Sequence, residues 1–241
     1  MFLDRLRYEA RLPGRFALLV PCLIPLVGAL FVVLLRLGQS KTANLFSACL
    51  EMFLPLAAGI LVAAISGYDP ALELQLSLPA FYRRTVVYRL GLIGVWTACV
   101  ALLASICLQW TGFAKTLPLE PFWPQIVQFV VRQFLWFAPL LWFLAIGLFL
   151  ALLLRSRSAS IALLGGIWVA ENIMYGLLID TPWLHPVFLF AGTLTPISVL
   201  AAFWLTNRLE LIATAGVFLL IGWLQLRQTE ALLQKTQGGE E

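Results

Sequence analysis

Runs of about 20 apolar residues, each long enough to cross the ~30 Å hydrocarbon core of a bilayer, recur along this chain and leave it few folds to choose from. The first reads FALLVPCLIPLVGALFVVLL over residues 16–35. In hydrocarbon every backbone N–H and C=O must find a partner within the protein, so only helices and closed barrels can span. Barrel strands are about 10 residues long and alternate strictly; these runs do neither. With 61% hydrophobic and only 12% charged residues, the chain falls well outside the soluble range of about 25% charged. The fold class expected is an all-α polytopic membrane protein, a single transmembrane domain over residues 1–241.

Six transmembrane helices are expected, at residues 16–35, 45–66, 87–110, 134–154, 159–179 and 209–226. Ahead of them, residues 1–15 mix Phe2, Leu3, Leu6 and Tyr8 with Arg5, Arg7 and Arg11, the pattern of a short amphipathic helix in the interface. The first span is expected to stay as an anchor, because no small-residue cleavage site follows it. Residues 228–241 are read as a short, frayed cytoplasmic tail.

Lys and Arg set the orientation. With the N-terminus inside, Arg5, Arg7, Arg11, Arg15, Arg83, Arg84, Arg89, Arg155, Arg157, Arg227 and Lys235 lie on the cytoplasmic side. Arg36, Lys41, Lys115, Arg132 and Arg208 lie outside. Both termini are therefore expected in the cytoplasm of a cell-membrane protein. Trp110, Trp123, Trp183 and Trp204 would form an outer aromatic belt. Loop charges of this kind account for the net charge of +4, and no basic patch with interleaved aromatics points to nucleic acid. Cys22, Cys49, Cys99 and Cys107 fall in apolar runs without metal or disulfide spacing, as apolar filler would.

Within the outer segment 180–208, residues 186–205 are long enough for a seventh span, but Gly192, Thr193, Thr195 and Pro196 break the middle. Two short half-helices dipping in from the outer face are the preferred reading, a form tolerated where protein or water shields the backbone.

Residues 69–84 form a polar island after the second span. Asp69 and Pro70 suit a helix start. Leu72 to Leu78 alternates with Glu73, Gln75 and Ser77, a strand-like period. A lone strand would leave its edges unpaired, so a short cytoplasmic helix is expected, ended by Pro79. The stretch ELQLSLPAFYRRTVVYRL resembles the segment after the second span in ABC-2 type transporter permeases, where an acidic residue, a Leu-rich turn, a Pro and a basic pair recur. Glu73, Leu74, Leu76, Leu78, Pro79, Arg83 and Arg84 carry the likeness, and the expected layout agrees with it: interfacial helix, six spans, and outer re-entrant half-helices before the last. The resemblance implies a permease subunit that forms its pathway with a second permease copy, identical or related, within membrane lipid. It also implies a separate ATP-binding subunit that holds ATP and Mg, with the island, Asp69 included, as the coupling helix. The chain itself has no GxxxxGK[ST] phosphate-binding loop, and no cofactor of its own is expected.

Inside the membrane the sharpest feature is Glu171, beside Asn172 and read as mid-span. A carboxylate there should face a partner or water. The same span carries Ser158, Ala162, Gly166 and Ala170 at four-residue spacing, a small-residue stripe that lets another helix approach. Together these six residues are the expected pathway or subunit-interface positions. Glu51 and Glu210 are read as reaching the headgroups, and Pro21, Pro25, Pro55 and Pro139 as kinks. The alternative to an ABC permease is an ion- or proton-coupled secondary transporter using Glu171. An intramembrane enzyme is disfavoured. His185 is the only histidine, which excludes HExxH, and a serine partner would have to be Ser66 or Ser160.

Overall fold

The computed structural model describes residues 14–66, 82–115, 117 and 123–237. Most of the expected interfacial helix and the island residues 69–81, with Asp69, Glu73, Leu74, Leu76, Leu78 and Pro79, lie outside them. Among the described residues there is no strand. The order is α1 (Gly14–Leu35), α2 (Gln39–Ala48), a π-helical turn (Cys49–Phe53), α3 (Leu54–Ser66), α4 (Tyr82–Trp110) and α5 (Gln125–Leu154). There follow α6 (Arg157–Ile173), α7 (Tyr175–Asp180), a 3-10 turn (Pro182–Val187), α8 (Ala191–Leu194), α9 (Ile197–Leu200) and α10 (Trp204–Gln237).

Among the described residues, five helices are long and apolar enough to cross a bilayer: Leu18–Leu35, Gln39–Ile65, Thr85–Trp110, Gln125–Leu154 and Trp204–Arg227. The chain is an all-α, multi-pass membrane protein. The remaining expected span, residues 159–179, is divided. Helix α6 has 17 residues, a rise of about 25 Å. Met174 then leaves the helical region at φ −96° and ψ 12° before α7 starts.

Helices outrun the apolar stretches at several ends, because hydropathy marks membrane contact while backbone bonding continues past it. Helix α5 starts at Gln125, behind Pro124, well before residue 134. The apolar positions of QIVQFVVRQF keep the helical period although glutamines and Arg132 interrupt the run. Helix α10 starts at Trp204 and continues to Gln237, so most of the tail expected to fray is helical. Its Glu, Ala, Leu, Gln and Lys are good helix formers. Helix α4 starts at Tyr82, which places Arg83 and Arg84 in its first turn, and Arg89, expected at headgroup level, is buried.

Helix α5 is the axis of the bundle. Fourteen of its 30 residues are buried, whereas only 11% of the α1 span is, so α1 is the peripheral helix. On one side of α5, Leu140, Leu144 and Leu148 pack with Leu54, Ala58 and Val62 of α3, Ile93 of α4 and Leu226 of α10. On the other, Trp142, Phe143 and Ile146 meet Leu164 of α6 and Leu211 and Ala215 of α10. Trp142 and Phe218 meet edge-to-face at 5.9 Å between centroids, joining α5 to α10. A third apolar cluster of Leu178, Phe188, Ala191, Leu200 and Trp204 closes one end. Trp204 is therefore core, not belt, while Trp110 and Trp183 are 90% and 77% exposed.

Helices α3 and α5 touch backbone to backbone. A Cβ on Gly59 would lie 2.8 Å from Phe143 O, and one on Gly147 2.7 Å from Gly59 O. Small residues at such a crossing let dispersion replace the hydrophobic drive that lipid does not supply. Helix α1 joins through Gly28, where a Cβ would lie 2.9 Å from Cys49 Sγ. The Trp96 indole N–H also donates to Leu18 O at 2.8 Å.

Gly147→Ala should cost about 1–3 kcal/mol, the usual penalty of overpacking, despite the better helix propensity of Ala. Gly216→Ala, with open space around its added Cβ, should be neutral or mildly stabilising. Thermal unfolding of the two variants in detergent separates them; equal behaviour would remove the close crossing.

Candidate functional site

Pro55 shapes the site first. It has no N–H, and in an α-helix its ring would strike the carbonyl four residues back, that of Glu51. Around this point the helix widens. The Leu54 N–H bonds Cys49 O, five residues back, and Cys49–Phe53 is a π-helical turn. Turns of this kind recur at functional sites. This one carries Glu51 inward, 0% exposed. The kink expected at Pro55 is thus a local widening that places a carboxylate in the core.

Opposite Glu51 sits Arg208, in the first turns of α10 and also 0% exposed. Its Nη2 is ion-paired with Glu51 Oε1. Neither residue is where sequence reading placed it. Glu51 does not reach the headgroups, and Arg208 is not a loop charge.

Between them runs the broken segment that precedes α10. Residues 182–200 form three short helical pieces, and their backbone is satisfied by side chains from four other places. Gly192 N–H donates to Glu51 Oε1 at 2.8 Å, and the Thr193 hydroxyl donates to Glu51 Oε2. Arg208 Nη1 donates to Leu189 O at 2.9 Å. The neighbouring Asn207 Nδ2 reaches His185 O at 2.6 Å and Phe188 O at 3.0 Å. Lys115, from the connection after α4, donates to Gly192 O at 2.7 Å. Burial pushes the Lys115 ammonium below its usual pKa, an effect that the nearby Glu51 charge opposes. Finally, Leu189 N–H donates to Glu171 Oε2 at 3.1 Å.

The glycine at 192 is required by this geometry. A Cβ there would lie 2.9 and 3.0 Å from the two Glu51 oxygens, too close for the carboxylate to keep its hold on the backbone N–H. Phe190 completes the seat, stacked on Phe143 of α5 at 6.2 Å and 13°.

Glu171 belongs to this cluster, at 7% exposure, and not to mid-span. It stands two residues before the end of α6 at Ile173. Asn172 is half-buried and gives its amide to Trp168 O at 2.8 Å. The structure separates Glu171 from the small-residue stripe: Ser158, Ala162, Gly166 and Ala170 are all exposed on the outside of the bundle. Nothing lies within 4 Å of a Cβ built on Gly166, so the stripe packs against no helix among the described residues. His185 stacks on Phe203 at 4.2 Å between centroids. Ser160 lies in the first turns of α6 and donates to Ser156 O at 2.8 Å, so the structure does not bring it to His185.

Sequence reasoning named Glu171 and missed Arg208, Lys115, Asn207 and the inward role of Glu51. The available signals were Pro55 four residues after Glu51, and a Gly-Thr pair in the break.

Removing one partner of a buried ion pair strands the other charge and typically costs about 3–5 kcal/mol. Glu51→Leu and Arg208→Met should each approach that loss. The double variant should lose clearly less than the sum, though Gly192 N–H and Leu189 O still lose their partners. A double-mutant cycle on thermal unfolding in detergent checks this; strictly additive losses would show the two side chains to be uncoupled.

In comparisons with known proteins, no family model and no curated protein matches this chain, so its function has to be read from the site and from the order of its helices.

Proposed function

We propose that this chain is the membrane-spanning permease subunit of an ABC-2 type, ATP-driven exporter. It would form the pathway with a second permease copy and couple to a separate ATPase that holds ATP and Mg. The observation that carries the reading is the broken segment seated on the Glu51–Arg208 pair directly before the last long helix, where the resemblance calls for outer re-entrant half-helices. Helix α6 supports a sixth crossing. It begins just after the end of α5, and near its other end Glu171 meets Leu189 beside the Glu51–Arg208 pair. Six crossings bring both termini to one side, with the island 69–84 between α3 and α4 on that same side, where a motor would dock.

The exposed stripe on α6 supplies a face for the second copy. Transport by alternating access needs an element whose arrangement can change when helices shift. The turn 185–193, bonded by side chains of the π turn, α6, α10 and the connection after α4, is that element in this reading.

Mild-detergent purification of the tagged protein from its native host, with mass spectrometry of what accompanies it, tests the proposal. A stoichiometric protein with a phosphate-binding loop is expected, and it should be lost when Glu73 and Leu76 are changed to Arg. A preparation free of any ATPase, with the protein intact, would sink the reading. Crosslinking tests the pairing: Gly166→Leu should reduce the dimer several-fold, and an unchanged dimer would move the interface off α6.

One observation favours a second reading. A buried carboxylate bonded to a broken helical segment is the arrangement in which secondary transporters hold coupling ions. Under that reading, protein reconstituted alone in liposomes would carry out ion-driven uptake, and Glu171→Gln would abolish it.

A further inference from the structure

Next to the Glu51–Arg208 cluster, at the same end of the bundle, a narrow cleft of about 30 Å³ opens outward between α2, the end of α4, the start of α5 and the connection after α4. Its polar lining among the described residues is Ser47, Ser105, Gln109, Lys115 and Arg132, none of them acidic. Its apolar lining includes Phe113 and Leu117, both half-buried.

The charges in this cleft are unbalanced. Lys115 donates to Gly192 O and Thr193 O, at 2.7 and 3.4 Å; these neutral acceptors leave its charge in place. Glu51 acts on Lys115 from the adjacent cluster but is committed to Arg208, Gly192 and Thr193. Arg132 has no ion-pair partner among the described residues, and its Nε is buried without a hydrogen-bond partner. A buried donor with no acceptor is costly, and two cations facing one small space repel unless an anion lies between them. Gln109 and Ser105 bond each other at 3.5 Å in the wall.

Depth narrows the choice of anion. Arg132 lies seven residues along α5 from Gln125, about 10 Å from the helix start. That is the level at which long cationic side chains of a spanning helix meet lipid headgroups. Apolar residues continue the cleft wall beside the cations, where a free anion would have no use for them.

We propose that this cleft binds the phosphate headgroup of an anionic membrane amphiphile, held between Arg132 and Lys115, with its acyl portion leaving past Phe113 and Leu117. The site is independent of any partner ATPase. It gives the molecule a preference for acidic lipid at one leaflet, at the place where Lys115 also grips the broken segment.

The test uses the full chain in a neutral detergent, titrated with phosphatidylglycerol, with phosphatidylcholine of the same acyl chains, and with inorganic phosphate, following the unfolding temperature. Phosphatidylglycerol should raise it saturably and phosphatidylcholine should not. Arg132→Gln should weaken the response at least tenfold in apparent affinity. Arg132→Lys, which keeps the charge, should retain the lipid preference, and Arg36→Gln, removing an exposed cation at the same end, should leave it unchanged. Should Arg132→Gln fail to fold, Lys115→Gln gives the same readout. An equal response to both lipids, or one untouched by either variant, would overturn the site. The same saturable shift from millimolar inorganic phosphate alone would overturn the amphiphile and leave a site for a soluble anion.

Discussion

The backbone of a broken helix cannot be left bare in an apolar interior, and that constraint organises one end of this protein. A continuous helix satisfies its own N–H and C=O groups; residues 185–193 do not. Their partners are the side chains of Glu51, Glu171, Arg208, Asn207 and Lys115, brought from the π turn, α6, α10 and the connection after α4. Each charge would be expensive to bury alone. Placed together, carboxylates accept from backbone N–H groups while cations donate to backbone carbonyls, and Glu51 and Arg208 compensate each other. The ion pair and the broken segment justify each other's burial.

The rest of the bundle makes that placement possible. Helix α3 can bring the π turn close to α5 because Gly59 and Gly147 let the two backbones touch. Helix α5 then offers Phe143 as a flat surface for Phe190, next to the turn. Helix α10 enters the core with Trp204, Asn207 and Arg208 all buried, so its first turns serve as a binding surface for the segment just before it. A turn held by side chains of several helices responds to the relative position of all of them. A helix bonded only to itself would not. This makes the segment a natural place for a permease to couple helix motion to opening, if the chain works as proposed.

Much of the fold was legible in the chain. The apolar runs marked the helical membrane class and five helices of membrane-spanning length directly, because runs of about 20 apolar residues without strict alternation suit a helix and not a barrel strand. Of the residues read as breaking 186–205, Thr195 and Pro196 fall at a break between α8 and α9, while Gly192 and Thr193 lie inside α8. Helix ends were less legible: α5 and α10 carry on through polar residues that hydropathy discards but helix bonding does not. The division at Met174 was missed because residues 159–179 read as one apolar run, with only a backbone dihedral to mark the break.

The candidate site was legible only in fragments. Glu171 stood out because a lone carboxylate in an apolar run is conspicuous. Glu51 and Arg208 did not, because each lies near the edge of a run, where a charge reads as a headgroup contact or a topology signal. What the sequence by itself determined is the class of solvent, the helices that solvent demands, and the points where Pro and Gly interrupt them. Tertiary structure alone decided which charges face inward and meet, since the ion pair joins residues 157 positions apart. A pairing at that distance depends on how helices pack side by side, and local periodicity carries no information about it.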